Sequence, residues 1–195
     1  MATNIEIEAK VLITEKEYNH VLSYYKNHVI NEYNQVNYYI DSDNLALKKM
    51  GIGLRIREKD GIYTLTLKAP LAEGLLEKDE NLSKEVFNAF VKSNKFPECY
   101  TDDFIKMLGV DSKTLKVITT LTTHRVEVNY NDSGYEFSID KNTYNKQVDY
   151  ELEVAGPSLN RAKEMLKEIC VSTNTFYKDN LKSKETRALE TVESK

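Results

Sequence analysis

Apolar and polar residues alternate strictly at several places along this chain. Ile5, Ile7, Ala9 and Val11 interleave with Glu6, Glu8 and Lys10; Val36, Tyr38 and Ile40 with Asn37 and Tyr39; Leu54 and Ile56 with Arg55 and Arg57. The period returns over 62–68, where Tyr63, Leu65 and Leu67 separate Thr64, Thr66 and Lys68, and again over 122–130, 135–140 and 148–155. Successive side chains of a strand point to opposite faces, so each stretch predicts a strand with one apolar and one polar face. Asp60-Gly61 predicts the hairpin turn between two of them, and Asn131-Asp132-Ser133-Gly134 a second turn. Between strands the spacing becomes helical. Thr14-Glu15-Lys16-Glu17 has the form of a capping box, followed by Tyr18, Val21, Leu22 and Tyr25 on one face. Ser83 is placed to cap a helix carrying Val86, Phe87, Phe90 and Val91, and Thr101 to cap another that stops at Gly109. Ala162, Met165, Leu166, Ile169 and Cys170 mark an amphipathic helix, and Ser183 the start of a short terminal one. Residues 70–119 are otherwise irregular. No repeat or linker interrupts the chain, so a single α+β domain over 1–195 is expected.

The polar faces are charged rather than merely polar. Arg125, Glu127 and Asn129 share one parity in their strand, as do Ser138 with Asp140, and Asp149 with Glu151 and Glu153. Like charges recur at two-residue spacing in Glu6/Glu8, Arg55/Arg57 and Glu151/Glu153. Adjacent like charges weaken a sheet unless a ligand or an opposing strand compensates them. Two architectures fit: an open antiparallel sheet wet on its charged face, or a closed barrel with a charged interior and an apolar exterior under helices. The dominance of Glu, Asp, Arg and Lys over Ser, Gln and Asn favours the barrel.

Composition narrows the partners. The formal net charge is −4, so the surface as a whole is no nucleic-acid footprint, and any anionic ligand depends on a local concentration of Lys and Arg. Cys99 and Cys170 provide neither metal spacing nor a disulfide framework. There is no basic segment followed by an apolar run at the amino terminus and no stretch of transmembrane length, so a cytoplasmic location and no membrane partner are expected.

Candidate chemistry begins at Glu6-Ile7-Glu8-Ala9-Lys10. On one strand face the three charges span about 13 Å, with the two carboxylates about 7 Å apart. A hard divalent metal carrying a phosphate chain satisfies such a set, with the lysine holding the anion. This motif resembles the ExExK signature of the CYTH superfamily, the triphosphate tunnel metalloenzymes. The resemblance continues in order through Tyr38-Tyr39-Ile40-Asp41, Leu54-Arg55-Ile56-Arg57, Thr66-Leu67-Lys68, Arg125, Asp140 and Glu151-Leu152-Glu153. The tail, Lys182-Ser183-Lys184-Glu185-Thr186-Arg187, resembles a bacterial branch of Gram-positive organisms.

That resemblance implies a roughly eight-stranded antiparallel tunnel with helices packed outside. It implies metal binding by Glu6, Glu8, Asp140, Glu151 and Glu153, phosphate binding by Lys10, Arg55, Arg57, Lys68 and Arg125, and catalytic roles for Lys10 and Arg57. Mg²⁺ or Mn²⁺ is the implied cofactor. The implied substrate is tripolyphosphate, thiamine triphosphate or a nucleoside triphosphate, hydrolysed at a terminal phosphorus. A class IV adenylate cyclase and a non-catalytic polyphosphate or nucleotide sensor are the alternatives, and the oligomeric state is open. Relatives carry a further alternating acidic pair after the strand ending at Lys68. Here Glu73, Glu77 and Glu80 show no clean two-residue spacing, and Glu77 is the preferred counterpart. Asp41, at a strand end, reads as structural, and isolated His20, His28 and His124 as surface or packing residues. Lys10 and a tunnel tyrosine are the candidate general bases.

Overall fold

The computed structural model describes residues 2–72, 74–130 and 134–193; Glu73 and Asn131, Asp132 and Ser133 of the expected turn lie outside them. Nine strands alternate with helices: β1 (Ala2–Glu6), β2 (Glu8–Ile13), α1 (Glu15–Tyr25), β3 (Val29–Asp41), α2 (Ala46–Lys49), β4 (Gly53–Lys59), β5 (Ile62–Pro70) and β6 (Leu75–Leu82) come first. Then follow α3 (Lys84–Ser93), α4 (Tyr100–Met107), β7 (Lys116–Val128), β8 (Glu136–Tyr144), β9 (Gln147–Ala155), α5 (Leu159–Ser172) and α6 (Lys184–Glu193). All pairings are antiparallel, in the order β1-β6-β5-β4-β3-β7-β8-β9-β2.

The two edge strands of that order, β1 and β2, are successive segments of one chain separated by Ile7 alone. The sheet therefore curls until its edges meet, and the bent amino-terminal strand joins them. Gly74 lies against the bend: its φ is +79°, and a Cβ there would stand 2.4 Å from the Glu6 carbonyl oxygen, so both the conformation and the space require glycine. The Gly156 amide donates to the Ile7 carbonyl at 3.0 Å on the other side.

The apolar faces point outward. Ala9, Val11, Val126, Ile139, Leu152 and Val154 pack beneath α1 and α5, while Leu54, Ile56, Leu65 and Leu67 pack with Phe87 and Phe90 of α3 and Ile105 of α4. α6 does something further. Ala188 joins Tyr39, Leu121 and Tyr144 in a small apolar cluster on the inward faces of β3, β7 and β8, so this helix enters one end of the curled sheet.

Local signals explain most boundaries. Thr14 Oγ1 accepts from the Glu17 amide at 3.3 Å and Glu17 returns the bond at 2.7 Å. Asp60 and Gly61 both have positive φ, as a tight hairpin turn requires. Ser83 and Ser158 cap α3 and α5, and Ser183 Oγ accepts from the Thr186 amide at 3.1 Å at the start of α6.

Other features depart from expectation. α4 starts after Cys99, not after Thr101, whose amide and hydroxyl both donate to Glu80 at 3.2 Å. β8 runs beyond Asp140 to a turn at Asn145 and Lys146, both of positive φ. Asn145 is held there by its amide, which donates to Thr119, Ala188 and Thr191. β6 falls in the stretch expected to be irregular. Its outward Lys78 and Glu80 are as charged as its inward Glu77 and Asp79, so no apolar alternation announces it, and pairing to β5 and β1 defines it. Asp41 is structural: its carboxylate accepts from the amides of Ser42, Leu47 and Lys48, fixing the first turn of α2.

Candidate active site

Shared parity brings the charged faces together inside the sheet. Eight of the residues singled out in the sequence (Glu6, Glu8, Lys10, Arg55, Arg57, Lys68, Arg125 and Glu153) line one cavity of about 440 Å³. A second cavity, of about 380 Å³, opens at the β4–β5 hairpin, and the two meet at Arg55 and Arg57. Asp140 and Glu151 do not reach the cavity wall. They are fully buried, because cations from α6 lie over them.

One wall is acidic. Asp140 Oδ2 and Glu151 Oε2 each lie 2.8 Å from Lys184 Nζ, and Glu153 also bonds that ammonium. Arg187 forks onto Glu151 at 3.1 Å and 3.1 Å and onto Asp149 at 2.9 Å and 3.2 Å. Arg125 grips Asp140 at 2.8 Å and 2.6 Å and reaches Glu153. Burial alone raises a carboxyl, but Lys184, Arg125 and Lys10 outweigh it and hold Glu153 well below its ordinary range. Burial likewise lowers Lys184, and Asp140, Glu151 and Glu153 more than reverse that.

The opposite wall is cationic. Lys68 bonds Glu6 and lies 2.6 Å from Glu77; Arg55 reaches Glu77 at 3.7 Å, and its buried Nε has no hydrogen-bond partner among the described residues. Arg57 donates to Asn37 at 3.3 Å and forms no carboxylate pair among the described residues. Burial, then Arg55, then Arg125 depress its pKa to about 10, a sign that its charge lacks a counter-ion. Lys10 bonds Glu8 and lies 4.0 Å from Glu153. Burial lowers its pKa, but Glu8, Glu153 and Glu151 raise it overall. Tyr39, a buried tyrosine in the cavity wall, is pushed up to about 12 by burial.

Glu77, the preferred counterpart, and Asp79 stand two residues apart on β6, opposite Lys68 and Thr66 in the register; Asp79 accepts from the Thr66 hydroxyl at 2.6 Å. Glu80 points the other way and holds the start of α4. The histidines stay outside the cavity: His124 touches Tyr18 and Glu32, and His28 stacks edge-on with Tyr25.

The CYTH-domain family model matches residues 4–188. The chain belongs to the CYTH family. Among its relatives is the Bacillus subtilis (strain 168) protein named "Putative triphosphatase YjbK", 31% identical over 87% of this chain and 86% of that one. A "putative adenylate cyclase" from Bacillus halodurans has a similar crystal structure, with a TM-score of 0.81, 33% identity, and coverage of 93% of this chain and 97% of that one. HpAC1 from Hippeastrum, described as having a dominant triphosphatase activity, shares the fold, with a TM-score of 0.80 at 18% identity over 96% of each chain.

Metal chemistry has donors here but no ready cage. Among the described residues no group of three or more His, Cys, Asp or Glu stands arranged to hold a metal ion. The oxygens of Asp140, Glu151 and Glu153 nonetheless converge on one positive point, the Lys184 ammonium, and carboxylate oxygens suit a hard divalent ion. The donor set of this CYTH chain fits; its cation position is filled by the chain itself. Lys184, Glu185, Arg187 and Asp79 are absent from the set of residues that the strand pattern selected.

Proposed function

We propose that this chain is a divalent-metal-dependent hydrolase of triphosphate compounds, which it binds along the charged interior of its sheet. The observation that carries this reading is Arg57, held near Arg55 and Arg125 with no carboxylate pair among the described residues and a depressed pKa. A chain of phosphates supplies the missing negative charge, and guanidinium forks match phosphate oxygens. The name of the YjbK relative supports the same chemistry.

Phosphoryl transfer asks little covalent work of a protein; alignment and charge stabilisation supply most of the effect. Arg55, Arg57, Lys68 and Arg125 stabilise charge on the equatorial and leaving oxygens, and protonated Lys10 adds a compact positive charge at the acidic wall. Asp140, Glu151 and Glu153, with Glu6 and Glu8, would hold Mg²⁺ or Mn²⁺. Such an ion neutralises phosphate charge and lowers the pKa of a bound water.

A second reading, cyclisation of a nucleoside triphosphate, draws on the name of the Bacillus halodurans relative. One assay separates the readings: purified protein with Mg²⁺ or Mn²⁺ and, in turn, tripolyphosphate, thiamine triphosphate and ATP, with products resolved by chromatography. Metal-dependent orthophosphate release is expected. Cyclic AMP with pyrophosphate replaces hydrolysis by cyclisation, and tight binding without turnover makes the chain a sensor.

A further inference from the structure

The hydrolytic reading does not yet name an acceptor for the proton of the attacking water. Glu185, the second residue of α6, lies in the cavity wall beside Gly53. A Cβ on Gly53 would stand 2.4 Å from Glu185 Oε2, so the bare glycine is what admits this carboxylate to the wall. Glu185 faces Arg55 of β4 and Lys68 of β5, with Asp41 of β3 beyond and the Leu54 amide offering a hydrogen bond; Tyr39 and its own neighbour Lys184 complete its surroundings. Yet it forms no ion pair with either cation among the described residues. Arg55 lines the same cavity, and its buried Nε has no hydrogen-bond partner among the described residues. Glu185 therefore brings a carboxylate to the cavity wall beside two of the cations assigned to the phosphate chain.

We propose that Glu185 is the general base of the hydrolysis, accepting the proton of the water that attacks the terminal phosphorus. This rests on the triphosphatase reading. The water oxygen forms the new bond to phosphorus. The bond from that phosphorus to the bridging oxygen breaks, and its electron pair leaves with the shortened phosphate chain. The water proton passes to Glu185 and then to solvent, so one water and one triphosphate become orthophosphate and a diphosphate. Burial lifts the Glu185 carboxyl to about 7, although Arg55 and Lys68 pull it down, which places it in the range where a general base works at neutral pH.

The test is tripolyphosphate hydrolysis across pH by wild type, Glu185→Gln and Glu185→Asp with Mg²⁺ or Mn²⁺. Wild-type kcat/KM is expected to fall as pH drops through about 7. In Glu185→Gln, kcat falls by about 10²- to 10⁴-fold, KM changes little, and that acid limb disappears. Glu185→Asp keeps the limb at a lower kcat. A carboxyl whose folded pKa is raised contributes stability that is full below its unfolded pKa and lost as pH rises through about 7. The uncharged Glu185→Gln is therefore expected to melt no lower than wild type above pH 7, which separates a lost base from a lost fold. Should Glu185→Gln not fold, Glu185→Asp decides alone: an unchanged kcat, or no acid limb in wild type, overturns the proposal. Active wild type with an unchanged Glu185→Gln profile also overturns it while leaving the triphosphatase reading intact. Wild type without turnover removes that reading and the base with it.

Discussion

Arg57 and Glu151 show how two side chains of the same parity come to hold different positions. Arg57 donates to Asn37 and forms no ion pair among the described residues, so exchanging it for lysine keeps the charge and breaks no such pair. What Arg57→Lys removes is the planar fork. Loss of a charge-assisted bond of roughly 1.5–3 kcal/mol implies about a ten- to hundredfold fall in kcat/KM for triphosphates, with Tm nearly unchanged. Steady-state kinetics and a melt on the same preparation check this. Glu151 is the reverse case. Taken alone, a carboxylate two residues from Glu153 suggests that Glu151→Gln relieves repulsion and stabilises the fold. The structure overturns that expectation, because Glu151 is fully buried between Lys184 and the Arg187 fork. Breaking a buried pair leaves uncompensated charge, at a cost of about 3–5 kcal/mol. Glu151→Gln is expected to lower Tm before any effect on turnover is considered.

At the scale of elements, α6 decides the state of the acidic wall. Asp140, Asp149, Glu151 and Glu153 are four carboxylates, and among the described residues two of their four cationic partners, Lys184 and Arg187, come from this one helix, with Arg125 and Lys10 the others. A divalent ion entering among Asp140, Glu151 and Glu153 therefore competes with a tethered ammonium. Lys184→Met is expected to melt lower than wild type without metal and to gain more in Tm on adding Mn²⁺. It should also bind Mn²⁺ more tightly when followed by electron paramagnetic resonance. Equal Mn²⁺ affinity in the two proteins would detach Lys184 from the metal position. β6 adds a related lesson: its Glu77 and Asp79 enter the interior only because pairing to β5 turns them there.

The whole molecule inverts the usual plan of a sheet domain, with apolar faces outside under helices and charge inside. That plan holds only if the ring is joined, and the joint is the bend at Ile7 between β1 and β2. Gly74 is its tightest point. Gly74→Ala puts a side chain into a left-handed backbone and against the Glu6 carbonyl. It is expected to destabilise by at least about 1–3 kcal/mol, read by denaturant unfolding, and to disturb Glu6, which ends β1. A wild-type midpoint in that variant would show that the bend tolerates rearrangement.

The alternation of residues 5–11, 36–40, 54–57 and 62–68 by itself determined the strands and the side on which each charge lies, because parity is a local property of an extended chain. Capping residues likewise determined where α1 and α3 begin, since Thr14 and Ser83 bond amides only three residues away. Of the ten charged residues picked out along the chain, eight line one cavity, while Asp140 and Glu151 lie buried behind its wall. β6 escaped notice because charge on both faces erases the apolar period, and the turn at Asn145 and Lys146 because lysine carries no preference for positive φ. Tertiary structure alone decided that the sheet's edges meet at Ile7, that Asp79 pairs with Thr66, and that Lys184, Glu185 and Arg187 enter the interior. Each of those contacts joins segments far apart in sequence, and charge compensation between distant residues leaves no periodic trace in either segment.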